Sequence, residues 1–228
     1  MWVIIMKKNK LDIIYQDKHI LVINKPCGLL TVSTDKEKEH TLFHQVYTYE
    51  KQKNKNNKIF IVHRLDKDTS GLIIFAKSEK VKYELQNNWD SLVKERKYIA
   101  LVCGNVKKDK DTIKSYIKEN KNFISYSSNK KDDGKLAITY YEKIKGNAKY
   151  SLLNIKIYTG RKNQIRVHMN DIGHPIVGDK KYNSPLNPIK RMGLHATELE
   201  VIHPITKETL TFKSPIPKSF NSVFIDNN

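Results

Sequence analysis

Between the apolar runs Ile59-Phe60-Ile61 and Leu72-Ile73-Ile74-Phe75-Ala76 lies a dense polar knot, Val62-His63-Arg64-Leu65-Asp66-Lys67-Asp68-Thr69-Ser70-Gly71. Strands on either side of so short a loop would fix its carboxylates in place. A fixed carboxylate can act as nucleophile or general base. Asp66 and Asp68 are the candidates. An aspartate between two strands also commonly caps a turn through its own backbone, and Asp68 is given that plainer role. The histidines at 63, 168 and 195 stand singly, with neither His-x-x-x-His spacing nor clustered acids, so they are read as structural and no metal is expected.

Further stretches share the chain with this knot. They are Ile23-Asn24-Lys25-Pro26-Cys27-Gly28-Leu29, Lys97-Tyr98-Ile99-Ala100-Leu101-Val102-Cys103-Gly104 and Thr159-Gly160-Arg161-Lys162-Asn163-Gln164-Ile165-Arg166-Val167-His168. Gly173-His174-Pro175-Ile176-Val177-Gly178-Asp179 and Leu194-His195-Ala196 follow. In type and order the whole set, from Leu11 to Pro217, resembles the RluA-type RNA pseudouridine synthases. The resemblance implies their fold, α+β with a mixed, largely antiparallel sheet and a central RNA-binding cleft. It also implies their reaction, in which the N1–C1′ bond of a uridine breaks and the uracil is rejoined through C5, with no cofactor. Asp66 then matches the catalytic aspartate, and the sequence leaves open whether it attacks the ribose, attacks the base or abstracts a sugar proton.

By the same resemblance Tyr98 stacks on the target uracil and Arg166 pairs with Asp66, favouring the ionised carboxylate and pinning its rotamer. Arg166 also stands one position beyond Ile165, off the apolar stripe Ile165, His168, Met169 and Ile172. The resemblance also implies that Arg64 helps open the RNA and fill the gap left by a flipped nucleotide, since a stacked uridine hides the bond to be broken. Lys25, His63 and Thr69 are supporting residues, and His195 packs under the site. Asn163 stands where the family more often has histidine. Relatives often carry a small RNA-binding domain before the Asn-Lys-Pro turn. Here that turn begins at Asn24, so residues 1–10 are read as an N-terminal extension and 11–228 as a single catalytic domain with no separate N-terminal RNA-binding domain.

Composition agrees. The chain has 228 residues, enough for one sizeable core, and a formal net charge of +18 that favours a polyanionic partner, RNA above all. Part of that excess sits in the run Lys51-Gln52-Lys53-Asn54-Lys55-Asn56-Asn57-Lys58, which reads as a solvated loop. Residues 107–111 and 127–134 read as loops too. No apolar run approaches the roughly 20 residues needed to span a bilayer, and Trp2-Val3-Ile4-Ile5-Met6 is too short for a secretory signal, so a cytoplasmic protein is expected; it is read as a monomer. The two cysteines, Cys27 and Cys103, are read as buried or idle thiols. Two rival readings remain: a metal-dependent nuclease built on Asp66 and Asp68, and a non-catalytic RNA-binding protein, which would explain the charge alone.

Short β-rich runs must position these groups: 19–23, 58–62, 72–76, 98–102, 137–141, 152–158 and 198–202. Two helices are predicted, one capped by Ser78 and beginning at Glu79, the other from Gln164 to Ile172 and ended by Gly173.

Overall fold

A computed structural model describes residues 11–225 apart from positions 36 and 132, so the extension assigned to residues 1–10 lies outside the described residues. Among the described residues eleven strands form one sheet. They are β1 (Ile13–Gln16), β2 (Ile20–Lys25), β3 (Phe60–Ile61), β4 (Ser70–Ala76), β5 (Val93–Cys103) and β6 (Lys110–Glu119). Then come β7 (Ser125–Ser128), β8 (Lys135–Gly146), β9 (Tyr150–Ile157), β10 (Leu194–Ile202) and β11 (Thr209–Lys213). The order is β1-β2-β4-β10-β5-β9-β8-β6-β7, with β11 pairing β10 and β3 pairing β4. Every pairing but one is antiparallel; β10 runs parallel to β4.

Why β4 reads as an unbroken apolar run is visible in its partners. Leu72, Ile74 and Ala76 pack with Val81 and Leu85 of α2 (Glu79–Asn87), while Ile73 and Phe75 pack with Leu42 and Val46 of α1 (Leu42–Lys53). A strand covered on both faces loses its polar alternation. In the other half of the sheet, Ala100 and Val102 pack with Ile165 and Met169 of α4 (Gln164–Asp171). Ile99, Leu101 and Cys103 pack with Phe220 of α5 (Lys218–Ser222) on the opposite face. Tyr98 touches both the α1 and the α4 cluster and so sits where the two meet. A short helix, α3 (Trp89–Leu92), leads into β5.

Ser78 accepts from Val81 N at the start of α2, as its sequence predicts, and Gly173 ends α4 with φ +79°. Helix α1 was not legible. Only Leu42, Val46 and Glu50 turn inward, and the buried Glu50 carboxylate takes Gln16 Nε2 at 2.8 Å and Asn57 Nδ2 at 2.9 Å. Residues 51–53 of the lysine-rich run belong to this helix, so the loop is shorter than expected. The stretches 107–111 and 127–134 likewise overlap the start of β6 and the end of β7, because cross-strand hydrogen bonds from β8 and β6 hold backbone that carries few apolar side chains.

Gly71 is where the parallel pair meets. Its φ is +111°, and a Cβ there would stand 2.2 Å from the carbonyl oxygen of Ala196. Gly71→Ala is therefore expected to cost about 1–3 kcal/mol through overpacking and backbone strain. Urea denaturation reads this directly, and a midpoint equal to wild type would mean that the two strands separate freely.

Candidate active site

Backbone contacts immobilise the 62–69 loop before any side-chain chemistry begins. Thr31 Oγ1 donates to Leu65 O at 2.7 Å, and the Leu65 side chain is buried against α1. Lys67 O accepts from Lys25 Nζ at 2.8 Å and from Gly28 N at 3.0 Å. Cys27 Sγ donates to Asp68 O at 3.0 Å, so this thiol is free but not idle: it fastens the Asn-Lys-Pro turn to the loop. Thr69 N closes the turn on Asp66 O at 3.2 Å.

Lys25 is fully buried and spends its three ammonium protons on Pro26 O, Leu29 O and Lys67 O. Burial pushes its pKa down to about 8, against the opposing pull of Cys27, Asp68 and Asp66. It remains an ammonium at neutral pH, and its site is structural: a clasp beneath the loop. His63 is likewise a support. Its Nε2 accepts from Ile74 N at 3.1 Å, its ring lies 4.9 Å from that of Trp89, and burial, helped by the charge of Arg96, holds its pKa near 3.

With the loop held from behind, the Asp66 side chain points into a cleft of about 590 Å³ shared with Arg64, Thr69, Tyr98 and Arg166. It is 31% exposed, and Arg166 Nη1 donates to its Oδ2 at 2.9 Å. Tyr98, on β5, lines the cleft beside Asp66; burial raises its phenol pKa, and the Asp66 charge adds to this while Arg96 opposes it. The hydroxyl is therefore kept protonated and able to donate. Arg64 is exposed at the rim. Thr69 Oγ1 is buried with no partner among the described residues. Asp68 is exposed.

Arg166 is the most thoroughly held group in the site. It meets Asp66 through one nitrogen, and its two-pronged fork goes to Asp179. Nε and Nη2 donate to the two Asp179 oxygens at 2.7 and 2.8 Å, and Nη1 donates to Asn163 Oδ1 at 2.9 Å as well as to Asp66. Burial alone would lower the arginine pKa, but Asp179 and Asp66 outweigh it and raise it. Asn163 is left-handed, φ +56°, a conformation that asparagine tolerates better than most residues, and its side chain faces the guanidinium. Gln164 fixes the start of α4, donating to Ile138 O at 3.0 Å and Thr139 Oγ1 at 2.9 Å. The α4 residues from Gln164 to Met169 are all buried, so Arg166 is a buried cation and not the outward face of an amphipathic helix.

Asp179 was missed as a site residue although Gly178-Asp179 closes one of the quoted motifs. Its spacing from Arg166 carries no helical or strand period, and only the fold brings the two together. His195 does pack beneath the site. Arg191 Nη2 donates to Ser70 Oγ at 2.5 Å, the Ser70 hydroxyl lies 2.7 Å from His195 Nδ1, and His195 Nε2 lies 3.0 Å from Ser214 Oγ. His168 is similarly enclosed between Ser115 and Thr139.

Burial lowers the pKa of both His168 and His195 to about 4. Unfolded histidine takes up its proton near 6.5. Below that pH the unfolded chain binds more protons than the folded one, so this stability is present above about 6.5 and is lost as pH falls toward 4. Unfolding free energy should drop by about 3–6 kcal/mol between pH 7 and pH 5 for these two residues and His63 together. Denaturant titrations at the two pH values measure it, and equal stabilities would mean that these imidazoles are charged in the fold.

A family model described as RNA pseudouridylate synthase matches residues 19–171. An uncharacterized RNA pseudouridine synthase of Bacillus subtilis is 33% identical over 224 residues, 96% of this chain and 73% of the relative. The dual-specificity RNA pseudouridine synthase of Haemophilus influenzae is 36% identical over 217 residues, 90% of this chain and 92% of that protein. Among solved structures, human RNA pseudouridylate synthase domain containing 4 superposes with a TM-score of 0.75 at 23% identity, covering 91% of this chain and 89% of that one. Human RNA pseudouridylate synthase domain containing 1 gives 0.71 at 24% identity, covering 92% and 85%.

Proposed function

This chain belongs to the RNA pseudouridylate synthase family and is an RNA pseudouridine synthase, an isomerase, and we propose that Asp66 is the carboxylate through which it acts. The observation that carries the assignment is the contrast within one loop: the backbone carbonyls of Leu65, Asp66, Lys67 and Asp68 are all taken up, while the Asp66 side chain stays 31% exposed in the cleft with Arg166 as its partner. A carboxylate so placed is oriented by its arginine and open to a substrate.

The reaction breaks N1–C1′, forms C5–C1′, and exchanges the C5 proton for one on N1, so atoms and electrons balance with no redox partner. Asp66 supplies the carboxylate, Arg166 orients it, and Tyr98 provides an aromatic face for the uracil with a hydroxyl that donates. Arg64, exposed at the rim, is the group we assign to the gap left by the flipped nucleotide. Lys25, His63 and Thr69 hold the loop.

Asp66 and Asp68 do not converge as a pair of metal ligands, since one carboxylate meets Arg166 and the other faces solvent. We propose that residues 11–228 act as one catalytic domain, monomeric and cytoplasmic, on uridines of large-subunit ribosomal RNA or transfer RNA. Relatives named ribosomal large subunit pseudouridine synthase D support the first substrate. Among the described residues no helix is long and apolar enough to cross a membrane.

Incubating the purified protein with total RNA in chelator, followed by nucleoside analysis, tests the reading. Pseudouridine should appear and the RNA should stay intact. Strand scission, or no new pseudouridine, would sink it.

A further inference from the structure

Arg96 stands in the cleft with no counter-ion among the described residues. It leaves β5 two residues before Tyr98, and side chains at that spacing share a strand face. Burial lowers its pKa, and Asp90 opposes this without a hydrogen bond to it. Its guanidinium lies against the backbone of Gly160, where a Cβ would stand 2.8 Å from Nη1. The next residue, Arg161, uses Nε on Leu136 O at 2.8 Å. Neither arginine forms an ion pair among the described residues, and both line the cleft that holds Asp66. Trp89 forms the adjoining wall, its ring 6.0 Å from Arg96 Cζ and backed by the neutral His63.

A guanidinium drawn partly out of water with no anion beside it is costly unless a ligand brings one. Of the acids lining this cleft, Asp66 is engaged by Arg166 and Asp90 does not bond Arg96. A phosphodiester matches the vacant fork in charge and geometry, and an indole beside it suits a base. We infer that Arg96 and Arg161 bind the phosphodiester adjoining the uridine held over Tyr98, and that Trp89 stacks on the neighbouring base. The subsite rests on the reading that the uridine sits between Asp66 and Tyr98. It gives the enzyme a grip on the strand beside the flipped nucleotide that is independent of base identity.

The probe is a short single-stranded RNA of adenosines with one central uridine, together with two versions carrying an uncharged methylphosphonate on either side of that uridine. Wild type should lose about tenfold or more in affinity for one of the two versions. Arg96→Gln should bind the unmodified strand about tenfold more weakly, with a logarithmic salt slope smaller by about 0.7, and should not distinguish the modified strands. Arg96→Lys, which keeps the charge, should recover the slope but not the full affinity, and Trp89→Leu should weaken binding without altering the slope. If Arg96 merely packs under Gly160, Arg96→Gln will melt earlier yet stay as sensitive to the methylphosphonate as wild type, which overturns the subsite. Wild-type affinity and slope in Arg96→Gln, or failure of wild type to bind this strand while it modifies total RNA, overturns it equally. Absence of pseudouridine formation by wild type on total RNA would instead overturn the functional reading beneath it.

Discussion

Asp66→Asn should abolish pseudouridine formation, by at least about 10⁴-fold in single-turnover rate, while RNA affinity should stay close to wild type. Asparagine keeps the size of the side chain and can still accept from Arg166 Nη1, so the loop, pinned through Lys25, Cys27, Gly28 and Thr31, has no reason to move. What goes is the charge and nucleophilicity of the carboxylate, which no neighbour replaces. Nucleoside analysis of RNA treated with the variant gives the answer; product above a no-enzyme control would remove Asp66 from its role. Asp68→Asn is the matched control. Asp68 contributes its backbone carbonyl to Cys27 and turns its carboxylate to solvent, so most activity should remain.

The second large effect belongs to Arg166. Arg166→Ala should cost about 10²–10³-fold in rate, the magnitude typical of removing one preorganised charge partner, and should destabilise the fold by leaving Asp179 buried without its cation. Arg166→Lys should rescue little. One ammonium cannot reach Asp66, Asn163 and both Asp179 oxygens from one position, and Asp179 is the more buried competitor for it. Asp179→Asn separates the two consequences: the guanidinium stays but loses its strongest anchor, so activity should fall while Asp66 keeps a partner. Single-turnover rates with thermal melts of each variant decide the matter. Full activity in a folded Arg166→Ala protein would mean that Asp66 needs no counter-charge. Because these groups act as a unit, Asp66→Asn combined with Arg166→Ala should be hardly slower than Asp66→Asn alone.

The fold class and the loop were readable because both leave local marks. β4 shows its double burial as an unbroken apolar run, and the Asp66 loop shows itself as polar residues between two such runs. Helix α4 was readable from Ile165 and Met169, and its end from Gly173. Helix α1 was not, because one of its three inward positions is a glutamate whose charge is met by groups from β1 and from the loop after the helix. The partner of Arg166 was hidden for a related reason. Asp179 stands in an irregular segment after α4, and no period in the sequence connects an acid there with a helical arginine. Arg96 and Trp89 were hidden as well, since an arginine in a strand and a tryptophan in a short helix look like ordinary surface and core until the cleft sets them side by side.

The position of β10 between β4 and β5 also decides when during its making the protein becomes an enzyme. Asp66 and Tyr98 leave the ribosome early, but the strands beside them pair with β10, which begins only at Leu194. Until it arrives, β4 and β5 lack the strand that lies between them and bonds to both. Closing a sheet through so distant a strand is slow, and open edges in the meantime invite association with other chains. A nascent chain stopped at residue 193 should therefore be cut readily by protease within β4 and β5, where the finished protein resists; equal resistance would mean that the halves find each other without β10. The cleft around Asp66 and Tyr98 thus cannot be walled on both sides until the chain has been made at least as far as β10.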